Sequence, residues 1–191
     1  MDITQLILDD HHEQRRLFAI VEQIDRAATA DLATVWNRLA AFLEVHAAAE
    51  EAIFYPALLQ AGVGAGDVDT AEEETLDAIH DHNDIRDAIA GVPGHEVGSD
   101  GWYAAIAAVN LANGDHMAEE EREGLTDFRR HATLQWRHDL AVAFASFEAS
   151  HYAGVPVVDK DPAEYVREAE QAAPGSKAPD GSLGIGGLKG S

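Results

Sequence analysis

Apolar positions recur at spacings of three and four in five stretches of this chain, which predicts amphipathic helices. The first runs from about residue 3 to residue 27, with Ile7, His11, Gln14, Phe18, Val21 and Ile24 on one stripe. The second, capped by Thr29 or Asp31, carries Trp36, Leu39, Leu43, His46, Glu50 and Ile53, and the glycines between 62 and 66 end it. The third starts near Val68 or Thr70 and turns Leu76, Ile79, His82, Ile85 (or Arg86) and Ile89 inward, up to the breaker Gly91, Pro93, Gly94. The fourth, capped by Ser99 or Asp100, carries Trp102, Ile106, Val109, His116 and Glu120. A polar loop is expected next, then a fifth helix from about 133 to 152 with Leu140, Phe144 and Phe147.

From Gly154 the composition shifts, with four of the six prolines and seven of the sixteen glycines in the last 38 residues. One short helix around 162–173 is expected there, in a tail without its own core. The expected fold is all-α. Residues 1–125 form a helical bundle, 126–153 a fifth helix packed on it, and 154–191 a Gly/Pro-rich tail.

The stripes carry polar residues that a plain core does not need, and they do so twice. His11 is followed 35 positions on by His46-Ala-Ala-Ala-Glu50, and His82 is followed 34 positions on by His116-Met-Ala-Glu-Glu120. Residues four apart on a helix lie above one another, about 6 Å along the axis, so each His-x-x-x-Glu pair points one way. A single histidine on an apolar stripe is most simply a satisfied core residue, and a single pair is most simply a surface contact. Four stretches repeating the pattern are not. Two carboxylates on core faces are costly unless paired or bound to a cation. Four imidazoles and two carboxylates at one level suit a pair of transition-metal ions held by nitrogen and oxygen, with iron, manganese and zinc all compatible.

Composition narrows the classes further. The net charge of −22 argues against nucleic acid and anionic membrane surfaces as partners. It fits a monomer or weak oligomer. With no cysteine, disulfides, thiolate metal sites and iron–sulfur clusters are excluded. A cytoplasmic location is expected, since the start Met-Asp-Ile-Thr has no signal-peptide pattern and no apolar run nears the ~18 residues of a membrane span.

Asp10-His11-His12-Glu13, His46 to Glu51 with Phe54-Tyr55-Pro56, Asp81-His82 to Arg86, and His116 to Glu121 together resemble the hemerythrin-like HHE cation-binding family over about residues 2–125. The resemblance, closest to the actinobacterial type, implies an antiparallel up-down four-helix bundle around an oxo- or hydroxo-bridged non-haem di-iron centre. In it His11, His46, His82 and His116 would be terminal ligands, and Glu50 and Glu120 bridging carboxylates. His80 competes with His82, which is preferred for its alignment with Ile79 and Leu76. His12 lies about 100° off the stripe. Glu51, Glu119 and Glu121 read as solvated face, and Phe54 and Phe18 as the apolar wall.

The oxygen carriers of the family hold a further histidine one turn before the position of His82, where this chain has Ala78. That leaves two open coordination positions rather than one, which favours chemistry on small oxidants over oxygen carriage. The implied activity is catalase-like decomposition of hydrogen peroxide or detoxification of peroxide and nitric oxide. The alternative is binding or sensing of dioxygen, nitric oxide or iron without turnover. Tyr55 is the candidate catalytic side chain. Its phenol either reaches the open position or packs near the bundle end with the hydroxyl half wet.

Overall fold

A computed structural model of the chain describes residues 1–66 and 70–173. Among them every regular element is helical. Helix α1 spans Ile3–Gln23, and Asp2 caps it by accepting from the Thr4 N–H. It ends earlier than the periodicity predicts, because the Asp25 side chain and carbonyl accept from the Ala27 and Ala28 N–H groups and turn the chain. Helix α2 spans Thr29–Ala49, and its cap position falls on Ala28, so neither Thr29 nor Asp31 caps it. Asp31 instead sits in the first turn, where the helix dipole favours a negative charge.

A π-helical turn, Glu50–Phe54, continues α2 directly into α3, Tyr55–Ala61. Helix α4, Ala71–Gly91, is capped by Thr70; Val68 lies outside the described residues. Helix α5, Asp100–Arg122, is capped by Ser99. The stretch expected as a polar loop is helix α6, Gly124–His131, which buries Leu125 and Phe128. Then follow α7, Leu134–Ser150, capped by Thr133, and α8, Pro162–Ala172, capped by Asp161. None of the described helices is long and apolar enough to cross a membrane.

Helix α1 packs on α2 and α4 on α5, and the two pairs meet through α1 with α5 and α2 with α4. Helix α7 lies on α1 and α2, and α8 lies on α3 and α4. The segment expected as a coreless tail is therefore partly docked. Asn83 on α4 donates to the Lys160 carbonyl and accepts from the Lys160 N–H, and Val166 is buried.

Two apolar clusters fill the interior. One gathers Ile3, Ile7, Phe54, Leu58, Ile79, Phe128 and Phe144; the other gathers Leu17, Phe18, Val21, Trp36, Leu39, Trp102 and Ile106. On α1 the buried residues between them are His11 and Gln14, and on α5 the buried polar ones are Asn113, His116 and Glu120, with Met117 beside them. A polar layer thus lies inside the molecule with apolar packing on both sides. That placement excludes bulk water and strengthens every electrostatic interaction within the layer.

Candidate metal centre

His11, His46, Glu50, His82, His116 and Glu120 meet in this layer, each at most 4 % exposed. All four Nε2 atoms face inward. Glu50 Oε1 lies 2.9 Å from His46 Nε2 and 3.9 Å from His11 Nε2, while Glu50 Oε2 lies 3.3 Å from His82 Nε2. His116 Nε2 is 3.1 Å from His82 Nε2, and Glu120 Oε2 is 3.4 Å from His11 Nε2. Within this set two groups with metal-binding spacing result, His11–His46–Glu50 and Glu50–His82–His116, with Glu50 common to both, and a third group, Asp10–His46–Glu148, shares His46.

Each imidazole has a carboxylate behind it. Asp10 Oδ2 lies 3.3 Å from His46 Nδ1 and Asp81 Oδ2 lies 3.5 Å from His116 Nδ1. Glu121 Oε1 lies 3.0 Å from His11 Nδ1 and Glu51 Oε1 lies 2.9 Å from His82 Nδ1. The aspartate before a histidine thus backs the imidazole of its own helix pair, and the second glutamate of each Glu-Glu backs an imidazole of the other pair. At His11 and His82 the carboxylate is hydrogen-bonded to Nδ1, which holds the proton there and leaves the Nε2 lone pair facing the interior, the form a metal ligand needs.

These four acids were not singled out by periodicity. Glu51, expected on a solvated face, is 3 % exposed. The π turn is the reason: it fits one more residue per turn, so Glu50, Glu51, Phe54 and Tyr55 are all buried. The Glu51 carboxylate also pairs with Arg86 and, at 2.6 Å, with Lys160 Nζ. Pro56 offers no N–H to the Glu51 carbonyl five residues before it, and the Tyr165 hydroxyl of α8 donates to that carbonyl instead. Glu121, also expected on a solvated face, is half-buried and accepts from Arg15 at 2.8 Å. Glu119 is exposed, as are His12 and His80, which settles which of His80 and His82 turns inward.

Tyr55 is fully buried, not half wet, and its hydroxyl donates to Glu120 Oε1 at 2.9 Å. Burial and the Glu120 and Glu50 charges hold its phenol well above the ordinary range, so it stays protonated. Phe18 and Phe54 are buried, as the apolar wall requires, and Phe144 of α7 meets the His46 ring edge-on at 5.9 Å.

Burial pulls the imidazoles down, but the acids outweigh it. His82 rises to about 9 through Glu50 and Glu51, and His46 rises well above its ordinary value through Glu50 and Asp10. Burial pushes Glu50 up, but His46 and His82 outweigh it and hold it well below the carboxylate range. Protons here compensate an inward negative charge. Even so, His11 Nε2, His46 Nε2, both Glu50 oxygens and Glu120 Oε2 are buried without a hydrogen-bond partner. A cation between them satisfies all five atoms at once, so the donor set fits metal.

The family model described as "Hemerythrin HHE cation binding domain" matches residues 2–126. The chain belongs to the hemerythrin family. No curated protein and no solved structure matches it. The hemerythrin match ends within α6, so Phe144, Lys160 and Tyr165, which brace the centre from α7 onward, lie outside it.

Proposed function

We propose that this hemerythrin domain is an antiparallel up-down four-helix bundle, over residues 1–125, that holds two iron ions. Residues 126–153 pack on it and 154–191 form its tail. Its activity is decomposition of hydrogen peroxide, with nitric oxide as a related reactant. His11, His46 and Glu50 would hold one ion and Glu50, His82 and His116 the other, with Glu120 beside His11 as a further carboxylate donor. The observation that carries this reading is Glu50, whose two unpartnered oxygens face opposite histidine pairs inside a dry layer.

Two iron ions, when bound, supply the paired one-electron changes by which peroxide serves as oxidant in one half-cycle and reductant in the next. The chain's own residues orient and shield. The Glu121 and Glu51 carboxylates fix the His11 and His82 imidazoles, Phe18 and Phe54 exclude water, and Tyr55 holds Glu120 by a hydrogen bond. Ala78 lines a cavity of about 10 Å³ beside His116 and Glu120, room for about one water-sized molecule.

Iron-loaded protein is expected to evolve oxygen from hydrogen peroxide. Undiminished evolution in His46→Ala and His116→Ala proteins would overturn the reading. Tyr55→Phe removes only the hydrogen bond to Glu120, so iron content is retained and turnover changes by roughly tenfold. Identical kinetics would reduce Tyr55 to packing.

A further inference from the structure

The four acids behind the imidazoles are not matched in charge. Glu121, behind His11, is met by Arg15, and both side chains are in part exposed. Asp10, behind His46, faces Glu148. Asp81, behind His116, shares its flank with Asp77 and Glu119, where Arg122 is taken up by Glu123. Glu51, behind His82, is buried and meets two cations, Arg86 at Oε1 and Lys160 at Oε2.

Lys160 is held for this contact. Asn83 of α4 clasps its backbone, donating to the Lys160 carbonyl at 2.7 Å and accepting from the Lys160 N–H at 3.1 Å, and the same Asn83 oxygen accepts from Arg86. The Tyr165 ring lies 5.3 Å from the ammonium, and its hydroxyl donates to the Glu51 carbonyl. Glu44 lies 3.6 Å from Arg86 and offsets part of that charge. The Lys160 ammonium lies 2.6 Å from Glu51 Oε2, and the neighbouring Asp159 is exposed. The Lys160 side chain is 38 % exposed, so water screens it in part, but its route to His82 runs through a buried carboxylate. A carboxylate that meets a cation on its outer oxygen lends less negative charge to the imidazole on its inner one.

We propose that Lys160 is a positioning residue for the centre. Acting through Glu51, it makes the His82–His116 position more electropositive than the His11–His46 position, so that of two bound irons the one there holds the ferrous state more strongly. The proposal rests on the di-iron reading above and makes its two positions unequal. It also gives the segment after α7 a role, since Lys160 lies beyond the family match, which ends at residue 126. A positive charge near a metal ion favours the lower oxidation state, and the effect grows where water is excluded.

The test is a spectroelectrochemical titration of the iron-loaded full-length chain, run beside metal analysis and thermal unfolding. Lys160→Met keeps the length of the side chain and removes its charge. The higher of the two one-electron potentials is expected to fall by about 59 mV, a tenfold change in the ferrous-to-ferric ratio, and the lower one by less. Lys160→Arg should restore the wild-type value. Tyr165→Phe removes a hydrogen bond and no charge, so it should lower Tm and leave both potentials in place. A Lys160→Met protein with full iron and wild-type potentials overturns the proposal alone. So do equal shifts of both potentials, and so does a loss of iron, because Lys160 would then hold the site together rather than set its charge. A wild-type chain that binds no iron overturns the di-iron reading as well.

Discussion

Glu50→Gln is expected to empty both metal positions at once. The substitution keeps the shape of the side chain and removes the one charge that both histidine pairs share, since Oε1 faces His46 and His11 and Oε2 faces His82. Loss of an outer hydrogen-bonding partner of a ligand costs roughly 10- to 100-fold in metal affinity, and loss of a shared bridging carboxylate should exceed that at both positions. Iron content then falls from about two per chain toward zero, and peroxide turnover falls with it. His46→Ala removes a donor from one group only, so it should retain metal at the His82–His116 side. The exposed His80 is the control, and His80→Ala should match the wild type. Metal analysis after loading separates these outcomes. A Glu50→Gln protein with full iron would mean that this carboxylate does not join the two groups.

The second large effect falls on stability. Glu51 is buried and its carboxylate meets His82, Arg86 and Lys160. Removing one partner of a buried ion pair leaves the other charge stranded and costs about 3–5 kcal/mol. Arg86 is 5 % exposed, and its remaining acid, Glu44, lies 3.6 Å away. Glu51→Gln should therefore lower Tm by roughly 6–20 °C in a chain of this size. The pH dependence has a definite sign. Burial pushes the Glu51 carboxyl up, but His82, Arg86 and Lys160 outweigh it and bring it down to about 2 from an ordinary 4.5. A depressed carboxyl contributes stability that is complete above its unfolded value and is lost as pH falls through the folded one. The Tm gap between wild type and variant, measured by thermal unfolding, should be full at neutral pH and narrow between about pH 4.5 and 2. A gap that is constant, or that widens in acid, would contradict the ion-pair account.

The inward histidines were legible because regular helices place them. His11, His82 and His116 share stripes with apolar neighbours three and four residues away, so a 3.6-residue period finds them. His46 and Glu50 were legible for the same reason, up to the point where the period changes. Glu51 was hidden because the π turn rotates it inward, and an α-helical reading points it about 100° away. The signal that was present is Pro56, which denies an N–H to the turn before it. Asp10 and Asp81 also carried a signal, as each directly precedes an inward histidine, but they reach sideways to the neighbouring helix, and no spacing within one helix reports that. Helix α6 reads as a polar loop in the sequence because charged residues surround Leu125 and Phe128, although their spacing of three is the clue. Lys160 reaches Glu51 from more than a hundred residues away, and local sequence holds no trace of such a contact.

The most direct test is anomalous diffraction at the iron edge from crystals of iron-loaded protein. Two peaks are expected, one beside each oxygen of Glu50, the first facing His11 and His46 and the second facing His82 and His116. A single peak away from Glu50, or none in protein prepared with ample iron, would contradict the account.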